Sequence, residues 1–209
     1  MKWIPALQVK RNKNILRLST GTSLKGGSVS VIPTDTMYGI VASAFDKKAV
    51  ERIFDIKGRN TKKPLIVLIS KIADLSKFGI SPKKDFGEAL AKIWPGKITV
   101  ILPCRSAKFK YIHRGVGSIA FRIPNDKSLL KLLAKTGPLV APSANPEGVS
   151  PATTISEANK YFGDKVDLYI NGGKKSSKPS TIIKFQKDVW ELVREGAVPF
   201  KKLCGILKI

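Results

Sequence analysis

Apolar residues in this chain fall into short runs that alternate with stripes at helical spacing. Val29-Ser30-Val31-Ile32-Pro33 alternates apolar and small residues and ends on proline, which predicts a strand that stops before the turn residues Thr34 to Thr36. Before Val29 the periodicity is weak, and a helix ahead of Gly26-Gly27 is the most that it suggests. Asp46 suits a helix cap, Val50, Ile53 and Phe54 follow at i, i+3, i+4 with Lys57 next on the stripe, and Gly58 suits the left-handed residue that ends the helix. Leu65 to Ile69 is an unbroken aliphatic run, the pattern of a strand covered on both faces. Ser81-Pro82 predicts a helix start and Pro95-Gly96 its end near Trp94.

Further along, Ile98 to Leu102 and Ser118 to Arg122 read as strands separated by a basic loop that carries His113. Asn125-Asp126 opens a helix with an apolar stripe at Leu129, Leu130, Leu132 and Leu133, stopped at Gly137, and the strand Leu139 to Ala141 follows. Thr154 or Ser156 caps another helix to about Phe162. A strand near Val166 to Ile170, a mobile loop from Asn171 to Pro179, and strands over Ser180 to Phe185 and Trp190 to Val193 complete the pattern, with a short tail after Gly196. Strands alternating with helices predict an α/β fold on an open sheet, and the short connections near the C-terminus make that sheet mixed.

Composition narrows the class without naming a partner. The chain has 209 residues, 43% of them hydrophobic and 25% charged, enough for one sizeable core. No apolar run reaches the about 20 residues that span a bilayer, and Met1 to Pro5 is not followed by a signal-peptide core, so the expectation is a cytoplasmic protein with no membrane partner. Cys104 and Cys204 form no motif and fit a reducing compartment as buried apolar residues. The net charge of +23 attracts polyanions such as nucleotides or RNA, but the lysines are spread along the whole chain, as they also are on an ordinary solvated surface.

Three distant stretches look built for anions: Pro33 to Thr36 with Tyr38-Gly39, Lys57-Gly58-Arg59 with Lys63-Pro64-Leu65, and Pro142-Ser143-Ala144-Asn145. Each follows or closes an apolar segment. Because open α/β sheets take ligands beyond the carboxyl ends of strands, Thr36, Arg122, Ser143, Asn145 and Arg194 are expected on one rim. Singly, each stretch also reads as a turn, a cap or a helix terminus. No Walker-type phosphate loop and no metal-ligand spacing occur, and Gly115-Val116-Gly117 precedes a strand where a dinucleotide fingerprint needs a helix. His113 reads as a surface residue. The site is thus expected to work by positioning and charge neutralisation.

Taken in order, Pro33-Thr34-Asp35-Thr36-Met37-Tyr38-Gly39-Ile40, Lys57-Gly58-Arg59, Lys63-Pro64-Leu65, Trp94-Pro95-Gly96, Ala120-Phe121-Arg122-Ile123-Pro124, Pro142-Ser143-Ala144-Asn145, Pro179-Ser180-Thr181 and Val193-Arg194-Glu195-Gly196 resemble the YrdC/Sua5 family of threonylcarbamoyl-AMP synthases. The likeness runs from about Val29 to Val198 of a single domain spanning 1–209, the short kind of member. It implies a twisted, mixed open α/β sheet flanked by helices with a basic concave cavity. It also implies an enzyme that joins L-threonine, bicarbonate and ATP and releases pyrophosphate. Its product would pass to a tRNA threonylcarbamoyl transferase complex that modifies adenosine 37, with tRNA contact a further possibility.

By the same resemblance Lys57 and Arg59 are catalytic, and Thr36, Arg122, the Ala141 backbone and Ser180 bind threonine. Arg59, Lys63, Ser118, Ser143, Asn145, Ser150 and Arg194 bind ATP, and no protein metal site is implied beyond the Mg²⁺ that accompanies ATP. The chain departs from the family pattern in four places: Asn60, Leu68 in place of a frequent histidine, Lys97, and the stretch Pro146-Glu147-Gly148. The competing readings are a non-enzymatic basic RNA-binding module and a carbamoyl-transfer or maturation domain with another substrate.

Overall fold

The structure, a computed structural model, describes residues 27–58, 64–175 and 178–209. Arg59 and Lys63, like the helix suggested before Gly26, lie outside the described residues. The strands are β1 (Ser30–Pro33), β2 (Tyr38–Ser43), β3 (Ile66–Leu68), β4 (Ile98–Pro103), β5 (Ser118–Arg122), β6 (Leu139–Val140), β7 (Leu168–Tyr169), β8 (Thr181–Gln186) and β9 (Val189–Arg194). They form one sheet in the order β7-β1-β2-β6-β3-β5-β4-β8-β9. β7 with β1, β3 with β5 and β4 with β8 run parallel, and the remaining neighbours run antiparallel, so the sheet is mixed as expected. The α-helices are α1 (Lys47–Lys57), α2 (Lys84–Ile93), α3 (Lys110–His113), α4 (Lys127–Thr136), α5 (Ile155–Phe162) and α6 (Phe200–Leu207). No described helix is long and apolar enough to cross a membrane.

Local chemistry sets several of these boundaries. Asp46 caps α1 by accepting the Ala49 N–H at 3.0 Å, and Gly58 ends it at φ 56°. Asp126 caps α4 through the Leu129 N–H at 2.9 Å, and Thr154 caps α5.

The two faces of the sheet are covered unequally. One face packs Val31, Ile40, Val67, Val100, Phe121 and Val140 against Val50, Ile53 and Phe54 of α1 and Leu90 and Ile93 of α2. Phe78 lies at its centre, with ring centroids 4.9 Å from Phe109 and 5.0 Å from Phe121, and each such aromatic pair adds about 1 kcal/mol beyond area burial. On the other face, Leu129, Leu132 and Leu133 of α4 cover Ile32, Val41, Leu68 and Leu139. That cover stops short of β4 and β8, leaving Ile101, Ser118 and Ile182 half-exposed.

Several expectations change. β2 was not foreseen, because Tyr38 and Gly39 read as part of the turn. Tyr38 to Ala42 is instead buried throughout as an inner strand, where both faces are apolar and alternation vanishes. α2 begins at Lys84, with Ser81-Pro82 leading into it and no side-chain cap at Lys83. A 3₁₀ helix over Ile72–Phe78 precedes it. The tail after Gly196 forms α6, which buries Leu203 and packs on α2. His113 is 5% exposed: its Nδ1 accepts the N–H groups of Gly115 and Gly117 at 3.2 and 3.4 Å, leaving Nε2–H to donate to the Ser106 carbonyl at 3.2 Å. Cys104 is buried and Cys204 half-buried, both as free thiols.

The β8–β9 hairpin turns on Lys187 and Asp188 at φ 52° and 62°, a geometry that asparagine and glycine adopt with less strain. Replacing Lys187-Asp188 by Asn-Gly is expected to raise unfolding stability by about 1 kcal/mol, read as a higher urea midpoint at unchanged slope.

Candidate functional site

The turn after β1 is organised by one hydroxyl. Thr34 Oγ1 accepts the N–H groups of Thr36 and Met37 at 3.2 and 3.3 Å and donates to the Met37 carbonyl at 2.7 Å. This fold-back brings Asp35 and Thr36 onto Arg122, the last residue of β5. Arg122 Nη2 meets Asp35 Oδ1 at 2.6 Å, and both Nη atoms lie 3.3 Å from Thr36 Oγ1. Arg122 is 5% exposed and the Asp35 side chain 4%, and the second Asp35 oxygen accepts the Asn125 N–H at 3.2 Å. Arg122 Nε–H is buried without a partner among the described residues. Burial pushes the guanidinium below its ordinary pKa, Asp35 opposes that shift, and the positive charge of Arg194 adds to it. Arginine stays protonated under such a shift, so the end of β5 holds a buried cation with a spare donor.

Strand alternation places Ser118, Ala120 and Arg122 on one face of β5. Register carries that face across the sheet: Ala120 pairs with Ile66 and Ile101, Thr99 with Ile182, and Ile182 with Arg194. Thr99 Oγ1 lies 2.8 Å from Ser180 Oγ, and Arg194 Nη2 donates to the Ser180 carbonyl at 2.8 Å. Burial lowers the Arg194 pKa. Gly196 makes this corner possible, since a Cβ there would meet the Pro179 oxygen at 2.3 Å and the Ser180 carbonyl carbon at 2.5 Å.

The expected rim is therefore corrected to a face. β3 runs parallel to β5 but antiparallel to β6, so the carboxyl ends of β5 and β6 lie at opposite ends of the sheet. Arg122 and Arg194 finish strands at one end, with the Thr34–Thr36 turn folded back onto Arg122, whereas Ser143 follows a strand that ends at the other. Ser118 opens β5, about 13 Å along the strand from Arg122. What these residues share is the side of the sheet that α4 leaves half-exposed.

The loop after β6 is held from behind. The Ala144 N–H donates to the Tyr38 carbonyl at 2.8 Å, and Ser143 bridges to Gly39. Lys57 is 2% exposed, with Nζ donating to the Ser143 carbonyl at 2.6 Å and to the Asn145 carbonyl. Its ammonium is thus seated on the carbonyls of the loop after β6. Asn145 Nδ2 donates to the carbonyls of Pro146 and Val149 at 2.9 and 2.7 Å, while its Oδ1 is buried without a partner among the described residues. Ser150 is exposed, Ser143 half-exposed, and the Ala141 N–H is spent on the Ile66 carbonyl at 2.8 Å.

The stretch expected to be mobile is anchored at its start. Tyr38 Oη donates to the Gly173 carbonyl at 2.7 Å and accepts the Gly172 N–H at 2.9 Å, and burial raises its pKa. The Lys175 N–H reaches the Thr153 carbonyl at 2.7 Å. Sequence reasoning assigned no role to Asp35, Tyr38 or Thr99. Asp35 had a signal, a carboxylate inside the anion-binding motif, but its partner is 87 residues away. Among the described residues no group of three His, Cys, Asp or Glu side chains could hold a metal, and the carboxylate nearest the site is tied to Arg122.

Leaving Arg122 without its counter-charge is expected to be costly. Asp35→Ala should destabilise the protein by about 3–5 kcal/mol in urea unfolding, and Asp35→Leu combined with Arg122→Met should recover most of that loss.

Comparison with known proteins bears on the family and the fold. The chain is 32% identical over 195 residues to a threonylcarbamoyl-AMP synthase of Pyrococcus abyssi, covering 92% of this chain and 57% of the relative. It is 35% identical over 180 residues to a putative threonylcarbamoyl-AMP synthase of Methanocaldococcus jannaschii, covering 85% and 84%. It therefore spans little more than half of the Pyrococcus relative but most of the Methanocaldococcus one. A crystal structure of P. abyssi Sua5 complexed with L-threonine matches with a TM-score of 0.84 at 30% identity, over 96% of this chain and 58% of that one. E. coli YciO matches with a TM-score of 0.79 at 24% identity, over 92% and 93%, a likeness of fold. A family model named for Sua5, YciO and YrdC and described as telomere recombination covers residues 22–196, and the chain belongs to that family.

Proposed function

We propose that this protein is an L-threonylcarbamoyladenylate synthase, which condenses L-threonine, bicarbonate and ATP and releases pyrophosphate. The observation that carries the reading is the buried Arg122 guanidinium, with a spare Nε–H and a second guanidinium nearby, on a half-exposed sheet face flanked by hydroxyls. A fork of that kind suits a carboxylate. A related protein complexed with L-threonine supports the choice of amino acid. Thr36 lies against Arg122, Ser180 is held by Thr99 and Arg194, and the Ala141 carbonyl, whose N–H is already engaged, would accept from the amine.

ATP would lie along the same face, with Arg194 and Ser118 beneath it and Ser143, Asn145 and Ser150 on the loop after β6. Arg59 and Lys63 would complete the phosphate contacts. The unpartnered Asn145 Oδ1 is an acceptor suited to a ribose hydroxyl or an adenine amine. Mg²⁺ would arrive on the ATP phosphates, held by them and by water.

The threonine amine first adds to bicarbonate, losing water and giving a carbamate. A carbamate oxygen then attacks the α-phosphorus as the bond to the bridging oxygen breaks, and the electron pair leaves with pyrophosphate. Cationic side chains fixed before the reaction stabilise charge on the leaving group without reorganising, an effect of about 3–4 kcal/mol per well-placed donor. The product is a mixed anhydride that water destroys. It calls for a nearby acyl acceptor, and N6 of adenosine 37 in tRNA would be that acceptor, reached in the cytoplasm through a partner transferase complex. The buried ion pair and paired hydroxyls set this site apart from a basic RNA-binding surface, whose cations stand in solvent.

Incubation with ATP, bicarbonate and L-threonine is expected to yield the adenylate by mass spectrometry with matching pyrophosphate release. Arg122→Lys, which keeps the charge but loses the fork, should lower kcat/KM for threonine about 10²-fold. Absence of the adenylate with the wild-type protein, or an unchanged rate with Arg122→Lys, would overturn the assignment.

A further inference from the structure

We propose that Lys57 serves the site from behind, as a positioning residue that sets the Pro142–Asn145 loop through its carbonyls. Three observations lead there. Lys57 is the last residue of α1, a helix fixed at its start by Asp46 and at its end by left-handed Gly58, so its side chain departs from a rigid point. An ammonium at a helix C-terminus is favoured there by the helix dipole. Its head is buried on the carbonyls of Ser143 and Asn145, while the Lys57 carbonyl accepts the Glu147 N–H at 2.9 Å. The loop is thereby gripped from α1 on one side and from Tyr38 to Ile40 of β2 on the other, where the Ile40 N–H donates to the Pro142 carbonyl at 3.0 Å.

A buried ammonium keeps its charge only where oxygen atoms replace its hydration shell, and here two loop carbonyls do so. Drawn away from them, it would cost the loop the contacts that set Ser143 and Asn145. The brace fixes those two residues before any ligand arrives. Its effect on turnover rests on the function proposed above, whereas its effect on the loop does not.

Two variants separate the brace from a direct cation. Lys57→Met offers no donor, while Lys57→Gln offers a neutral amide to the same carbonyls but no charge to a phosphate. Lys57→Met is expected to speed amide hydrogen exchange at Ala144 and Glu147 and to lower kcat/KM for ATP about 10²-fold. Lys57→Gln is expected to keep exchange slow, to regain about tenfold of that loss, and to leave inhibition by inorganic pyrophosphate at the wild-type concentration. The proposal is overturned if Lys57→Gln is as inactive as Lys57→Met, or if pyrophosphate inhibition weakens in it. Should the wild-type protein make no adenylate, the functional reading fails and the exchange arm alone decides: unchanged protection in Lys57→Met then sinks the brace. Should Lys57→Met fail to fold, Lys57→Gln carries the same decision.

Discussion

A guanidinium taken out of water must find its charge balance inside the protein, and Arg122 finds it in Asp35. Desolvating either ion alone costs several kcal/mol, so the pair is tolerable only with its geometry intact. That requirement ties the turn after β1 to the end of β5, strands that are separated in the sheet by β2, β6 and β3. The turn cannot swing away without stranding a buried charge. A fixed cation with an unused donor is the outcome, which is what orientation of a small carboxylate requires.

The uneven cover of the sheet does the rest. α4 shields β1, β2, β6 and β3 on the Arg122 side, and its apolar stripe is too short to reach β4 and β8. The second face thus keeps a half-exposed floor beside a close-packed wall. On that floor the alternation of β5 and the register with β4, β8 and β9 gather two arginines, Thr99 and Ser180, while β6 hands its following loop to Lys57. Contacts behind the floor are dense: Gly196 lies against the Pro179–Ser180 backbone and Gly172 against Pro33, where side chains would collide. Glycine at these two positions reflects close approach of backbones, which fixes where Ser180 and the stretch after β7 can sit.

Lys57 and Arg122 are both buried cations of the same region, yet they are satisfied differently. Arg122 has a carboxylate partner and keeps a donor in reserve, while Lys57 donates to peptide carbonyls. A planar fork can hold one partner and offer another edge, whereas the Lys57 ammonium turns two of its three donors into carbonyls. Residue type and surroundings together thus settle how each buried charge is satisfied, which two lysine- and arginine-containing motifs do not reveal on their own.

By itself the sequence determined the elements with local signals. The caps at Asp46 and Asp126, the glycine stop at Gly58 and the alternation of Ser118 to Arg122 all act within a turn or a strand, so composition and spacing report them directly. The motifs around Thr36, Arg122 and Ser143 also named the family. Tertiary structure alone decided that β2 is an inner strand, that the tail after Gly196 packs as α6, and that His113 is buried. It also decided that the carboxyl ends of β5 and β6 lie at opposite ends of the sheet, because the direction of each strand depends on partners far away in the chain. Asp35 and Lys57 make the same point: their side chains are legible as charges, but what each one faces is fixed by residues 87 and 86 positions away, a distance over which no local pattern carries information.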